Sequence, residues 1–317
     1  MSALRQPFWI GAVATIALAF LMTRVLANEY YYFAGYVVLQ YIVLATAWNI
    51  LGGYTGYVNF GTAAFFALGA YTTVIVYKLF PLPLPLIILL GGFVSGVVGL
   101  GTGYLTLRLR GVFFSIATLA LAIVLQTFVT NWDFLGGSRG VYIIRPRDTL
   151  LFATYIQYLF ITMLVLAIIA LAIARAIERS KLGRGLSAVR DDEEAAECSG
   201  VPTLRLKLFA TALSGALMGM AGAPYPYYVT YLDPASGFNL AYAVNSIAMP
   251  LIGGMTSWVG PLIGAVLLGV IQQVATVTIE SALNLLLVGV MLVLFVVLAP
   301  NGILGLLSNL RASRRAA

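Results

Sequence analysis

Apolar residues run in long stretches along nearly the whole chain, and polar residues gather in the short intervals between them. A helix that crosses a bilayer takes about 20 mostly apolar residues. Segments of that kind fall at 8–27, 33–51, 61–80, 84–106, 111–132, 150–174, 205–230, 238–253, 258–278 and 281–299, with 238–253 short for a full crossing. The first could be taken for a signal peptide, but its apolar stretch is long and no small-residue cleavage site precedes a soluble domain, so it counts as a span. The pattern predicts an all-α polytopic membrane protein of about eight to ten transmembrane helices, some broken or short, forming one domain over residues 1–317. The longest polar interval, 175–205, is expected to be a cytoplasmic loop carrying a short helix.

Composition agrees and narrows the choice. Of the 317 residues 61% are hydrophobic and only 9% charged, whereas a soluble domain carries roughly 25% charged residues. A water-soluble enzyme, a disordered chain and a disulfide scaffold are excluded, and the lone Cys198 forms no internal disulfide. With no histidine, imidazole metal sites and histidine acid–base catalysis are unavailable. The net charge of +7 could suggest nucleic acid. In a membrane protein it more often marks Lys/Arg held beside anionic lipid at the cytoplasmic face, so lipid, and no nucleic acid, is the expected contact.

Orientation follows from the same residues. Arg175, Arg179, Lys181, Arg184, Arg190, Arg205 and Lys207 form the densest run; Arg108 with Arg110, and Arg311, Arg314 and Arg315, form two more. Placing all three inside, with ten spans, also puts Arg5 and both termini in the cytoplasm. The external loop 133–149 dissents, with Arg139, Arg145 and Arg147 partly offset by Asp133 and Asp148.

Within the spans, polar residues are few: Gln126, Asn245, Gln272, Gln273 and Asn284. Such lone amides often bond between helices. No charged residue stands near the middle of a span, although an ion-coupled carrier usually keeps one there. No Walker A motif and no nucleophile–base pair is present, so the chain is not expected to be an enzyme, and its energy must come from a partner or from an ion gradient; the neutral spans favour the partner. Gly91, Ser95, Gly99 and Gly103 recur every four residues, as do Gly215, Gly219 and Ala223. Such stripes let helices approach closely, within this chain in the first reading and at a heterodimer seam in the second. The stretch 52–61 holds Gly52, Gly53, Gly56 and Gly61 with Tyr54, Thr55 and Asn59. It is either a break beside a translocation pathway or a cytoplasmic turn between spans.

The most informative stretch is 178–202, ERSKLGRGLSAVRDDEEAAECSGVP. Asp191 is the expected N-cap of a short helix, with Glu194 completing a capping box. Asp192, Glu193 and Glu194 favour its dipole, Gly200 stands at its C′ position and Pro202 stops it. Gly183 and Gly185 suggest a flexible approach. The helix is either part of a solvated loop or a docking element for a cytoplasmic partner.

Its spelling resembles a known motif. Glu194-Ala195-Ala196, three residues, then Gly200 is similar to the EAA-x3-G coupling helix of ABC importer permeases. With Gly183-Arg184 and Arg190-Asp191-Asp192 before it, the stretch more closely resembles the branched-chain amino acid permeases of the LivM type. Ala210-Thr211-Ala212-Leu213 departs from the wider importer pattern and argues against the maltose-type fold. The blocks at 49–71 and 251–265 also resemble that family, so the likeness runs over about 45–300. It implies a permease subunit for branched-chain amino acids in the bacterial inner membrane. The implied partners are a second permease of the LivH type, two cytoplasmic ATPases of the LivG/LivF type and a periplasmic amino-acid-binding protein. No cofactor is implied in this chain, ATP and magnesium being held by the ATPases. The resemblance assigns Gly183, Arg184, Arg190, Asp192, Glu194, Ala195, Ala196 and Gly200 to ATPase coupling. Candidates for the translocation path are Tyr54, Asn59, Gly61, Thr62, Gln126 and Asn245. Where the family often has His, this chain has Thr62, which keeps urea and short-amide permeases as an alternative; an ion-coupled transporter or a channel is the other.

Overall fold

The structure is a computed structural model in which residues 6–26, 28–146, 152–278, 286, 289, 290, 293 and 302–306 are described. It is helical throughout, apart from two-residue strands β1 (Val141–Tyr142) and β2 (Tyr231–Leu232) that pair antiparallel. The crossings are α1 (Gln6–Val25), α2 (Tyr30–Thr55), α3 (Thr62–Leu79), α4 (Leu84–Thr106), α5 (Val112–Thr130) and α6 (Tyr155–Glu178). After the short helices α7 (Lys181–Asp191) and α8 (Glu193–Cys198), α9 (Thr203–Gly222) runs on into α10 (Tyr225–Val229). The small α11 (Pro234–Gly237), α12 (Leu240–Gly253) and α13 (Val259–Thr278) follow, and 302–306 are helical as well. Eight of these segments, with α9 and α10 counted as one, are long and apolar enough to cross a membrane.

Two expected spans come out differently. The 205–230 segment is broken, because Pro224 opens the new helix α10 where α9 stops. The short segment 238–253 is α12, whose 14 residues reach about 21 Å at 1.5 Å per residue, short of the ~30 Å hydrocarbon core. The span 281–299 with Asn284, and Arg5, Arg147, Asp148, Arg311, Arg314 and Arg315, lie outside the described residues.

The centre of the bundle is α2, buried continuously from Ile42 to Thr55. Around it the glycine stripes do intramolecular work. A Cβ on Gly219 would collide with Ser95 Oγ, one on Gly91 would stand 3.1 Å from the Ala223 methyl, and one on Gly99 would stand 3.2 Å from Thr211 O. The two stripes therefore face each other, α4 on α9, and the seam lies within this chain. The same device brings α12 onto α13, where a Cβ on Gly264 would run into Met249 O.

The crossings define two ends. At one, the C-termini of α2, α4 and α6 meet the N-termini of α3, α5 and α9 together with α7 and α8, and Phe8 at the start of α1 lies against Trp258 there. Gly302 packs against Gly254 at this end. Arg108, Arg110, Arg175, Arg179, Lys181, Arg184, Arg190, Arg205 and Lys207 all belong to it. The opposite end holds β1, β2 and α11 with Lys78, Arg139 and Arg145. One dissenting arginine has a structural occupation: Arg145 donates to Tyr227 O at 2.7 Å and Tyr228 O at 2.6 Å, which are the closing carbonyls of α10. A cation suits that helix terminus.

Candidate coupling site

The approach to the short helix is itself helical. Ser180 caps α7, its hydroxyl accepting from Gly183 N at 3.3 Å, and α7 buries Leu186 and Val189 against the bundle. Gly183 and Gly185 are tight contacts, not hinges. A Cβ on Gly183 would collide with Ile177 O, and one on Gly185 would stand 2.7 Å from the Leu206 side chain. The expected flexible approach is thus corrected: both glycines lie within α7, and at Gly183 the Ile177 carbonyl leaves no room for a side chain.

The cap is also shifted by one residue. Asp191 is still in the last turn of α7, its carboxylate on Arg190 at 3.2 Å. Asp192, in extended backbone, ends α7 and caps α8, its carboxylate accepting from Ala195 N at 3.0 Å. No capping box forms on Asp191, because Glu194 turns outward to Arg110 at 2.6 Å. At the far end the expectation holds. Gly200 has φ +81°, a left-handed backbone that favours glycine. Gly200 N donates to Glu197 O at 2.9 Å and Val201 N to Ala196 O at 3.0 Å, the paired bonds of a Schellman cap.

The shift decides which carboxylates face the bundle. Glu193 Oε1 accepts from Lys207 Nζ at 2.5 Å, and Oε2 accepts from Tyr57 OH at 2.5 Å. Lys207 Nζ also donates to Tyr57 OH at 3.0 Å and Leu107 O at 3.4 Å. One turn on, Glu197 Oε1 accepts from Thr203 Oγ1 at 2.5 Å. Side-chain exposure is 4% for Lys207 and 13% for Glu193, so this is a nearly buried ion pair. Burial alone would raise the Glu193 carboxyl, but the hydrogen bonds from Lys207 and Tyr57 outweigh it and hold the carboxyl below its ordinary value. Burial, and then the Glu193 carboxylate, push the Tyr57 phenol well up. The outer face of α8 is open: Glu194 is 76% exposed, Ala195 and Cys198 are exposed, and only Ala196 of this helix is buried.

The residues expected to couple therefore separate by role. Glu194, Ala195 and Gly200 lie on the open surface, Gly183 and Ala196 are packed inside, and Arg184 is exposed on α7. Arg190 reaches Gly53 O at 3.4 Å, and Asp192 is the cap. Glu193, Lys207 and Tyr57 were not among the expected site residues. The available signal was Lys207 itself, an ammonium four residues past the start of α9 and the last charge before a long apolar run.

The residues expected along a path fall in three places. Tyr54, Asn59, Gly61 and Thr62 lie at the end that carries α7 and α8. Gly52 and Gly53 are helical within α2, Gly56 closes it with φ +78°, and 57–61 form a turn beside α8, so the stretch is a turn and not a break within a helix. There Tyr54 OH is 3.5 Å from Glu178 Oε2, Asn59 Oδ1 accepts from Gly61 N at 2.7 Å, and the Thr62 hydroxyl is buried without a partner. Gln126 is half-buried on α5. Asn245, on α12, donates to Tyr41 OH at 3.1 Å and accepts from Gln272 Nε2 at 2.9 Å, which ties α2, α12 and α13 together. Among the described residues no three His, Cys, Asp or Glu side chains converge on a metal site.

Eight apolar crossings, a helix that stops halfway and a short outward-facing helix on a polar mount define a multi-pass membrane transport component. The comparisons agree. The family of branched-chain amino acid transport system permease components matches residues 30–296, and the chain belongs to it. It is 28% identical to the high-affinity branched-chain amino acid transport system permease protein LivM of Salmonella typhimurium, over 96% of this chain and 76% of that protein. LivM of Escherichia coli is 26% identical over the same shares. The probable branched-chain amino acid transport permease LivH of Methanocaldococcus jannaschii is 25% identical over 78% of this chain and 82% of that protein. No solved structure matches.

Proposed function

We propose that this chain is a permease subunit of an ATP-driven ABC importer for branched-chain amino acids in the bacterial inner membrane, with α7, α8 and both termini in the cytoplasm. A second permease of the LivH type completes the membrane part. Two ATPases of the LivG/LivF type grip α8, and a periplasmic binding protein delivers the solute. The observation that carries this reading is α8 itself. Its inner face is fixed to α9 by Glu193 and Glu197 while Glu194, Ala195 and Cys198 are exposed, Glu194 in a solvent-facing pair with Arg110, as a handle for a partner requires. The concentration of Lys/Arg at the same end supports its cytoplasmic placement. The charged side chains of the described spans, Arg24, Lys78, Arg175, Glu178, Arg205 and Lys207, all lie near helix ends, which suits a neutral pathway that a motor opens, rather than one coupled to an ion.

In this cycle the ATPases close on ATP, displace α8, and switch the pathway between outward- and inward-facing forms; the chain performs no chemistry itself. The test is ATP-dependent uptake of labelled leucine by proteoliposomes holding the co-purified complex. Gly200→Val forces a β-branched residue into left-handed backbone. It is expected to abolish uptake and ATPase co-purification with membrane insertion intact. Undiminished uptake, or uptake by this chain alone without ATP, would overturn the proposal.

A further inference from the structure

We propose that Glu193, Lys207 and Tyr57 are positioning residues for transport, forming the joint through which displacement of α8 reaches the transmembrane helices. This rests on the importer reading and adds to it: the outer face of α8 takes the force and its inner face passes the force on.

Four chain segments meet at one ammonium. Lys207 Nζ, from the second turn of α9, bonds Glu193 of α8, Tyr57 of the α2–α3 turn and the Leu107 carbonyl that ends α4, and it stands 4.7 Å from the centre of the Tyr57 ring. Beside Glu193 and Lys207, the second fastening of α8 to α9 is again polar, Glu197 on Thr203. The spacing is regular: carboxylates four residues apart on α8 meet groups four residues apart on the antiparallel start of α9. Residues four apart share a helix face, so the two bonds act as one clasp.

Apolar packing of α8 itself is slight, because Ala196 is its one buried residue. Apart from the chain links to α7 and α9 and the exposed Glu194–Arg110 pair, the polar clasp is what ties α8 to the bundle. The material beyond the clasp is stiff. α9 lies backbone to backbone on α4 through Gly219, Gly91 and Gly99, and close-packed interiors pass displacement on instead of absorbing it. On its other side the joint has room to move. A cleft of about 440 Å³ opens between Tyr57, Val58, Arg110, Val112, Arg190 and Glu193. A directional, nearly buried ion pair with a packed helix on one side and open space on the other is suited to convert a pull into a shift of α9, α4 and the α2–α3 turn.

The competing possibility is a staple that serves folding alone. The two are separated by a coupling ratio, the solute taken up per ATP hydrolysed, in the complete reconstituted complex. Wild type sets the reference. With Glu193→Gln, which keeps the shape and the Tyr57 contact but removes the charge, the ratio is expected to fall about tenfold, within the usual range of site-to-site coupling. ATPase subunits should still co-purify, since Glu194 and Ala195 remain in place. Tyr57→Phe, which keeps the ring and deletes the hydroxyl, should lower the ratio to a smaller extent. The exchange Glu193→Lys with Lys207→Glu should recover part of the loss. A ratio equal to wild type in Glu193→Gln, or uptake and hydrolysis falling together in step with the amount of complex, would overturn the joint and leave the importer reading standing. A wild-type complex that takes up solute without ATP would overturn both.

Discussion

Helix α9 is attached to its neighbours in two different ways. Along its middle it meets α4 with almost nothing between the backbones, Gly219 against Ser95 and Gly91. At its start it meets α8 through an ammonium, a hydroxyl and two carboxylates, with a single buried alanine between the helices. The difference follows from solvent. Inside lipid there is no hydrophobic drive between helices, so contact rests on close fit; at the membrane surface a short helix with little apolar area to bury is held instead by directional polar bonds, which can break and re-form. The first attachment holds α9 and α4 together as one body, and the second lets a small helix be pulled without being lost.

The contrast is broken most severely in the middle. Gly219→Leu drives a side chain into Ser95 and the Gly91 carbonyl, and overpacking of this kind costs about 3 kcal/mol or more. Folded protein recovered by size exclusion in mild detergent should drop sharply. Recovery at the wild-type level would show that α4 and α9 can separate freely.

Lys207→Met comes next. It leaves the Glu193 carboxylate with Tyr57 as its remaining listener in a nearly buried site. Breaking a fully buried pair costs about 3–5 kcal/mol, and the partial exposure of Glu193 should bring the loss to the lower end. The effect should appear as faster proteolysis at 191–200 with α9 still inserted; unchanged protection would mean that α8 is held by something else.

Acid probes the same joint more gently. The Glu193 carboxyl is held below the ordinary 4.5 of a glutamate, so its bonds add stability that is fully present above that value. The contribution disappears as the pH falls through the depressed value. Protection of α8 from proteolysis should therefore hold down to about pH 4.5 and weaken below it, and Glu193→Gln should flatten the profile. A profile unaffected by that substitution would remove Glu193 from the account. Smallest of all, Glu194→Gln breaks an exposed pair with Arg110, which solvent screens to little effect on stability. Stability should barely move while ATPase binding weakens. A marked loss of stability would contradict the outward role of Glu194.

How far the sequence could be read depended on the range of the forces involved. The crossings were legible because bilayer thickness sets their length, and the glycine stripes because close approach tolerates little else. Gly200 was legible for a similar reason: its left-handed backbone is a local demand. The cap was misplaced by one residue because Asp191 and Asp192 are equally good caps on their own. The choice between them is made by α7, which continues through Asp191 on account of burying Leu186 and Val189. That single step turns Glu193 inward and Glu194 outward. Lys207 lies 14 residues from Glu193 and Tyr57 lies 136 from it, and no local pattern announces their meeting.

The central claim is that α8 faces the cell interior and is covered there by a motor. The native Cys198 is exposed on α8 and is the only cysteine in the chain, so it reports on this without any engineering. A membrane-impermeant maleimide should fail to label it in intact spheroplasts, label it fully in inside-out vesicles stripped of peripheral proteins, and label it slowly once the ATPases are restored. Labelling in sealed spheroplasts would place α8 outside and contradict the account.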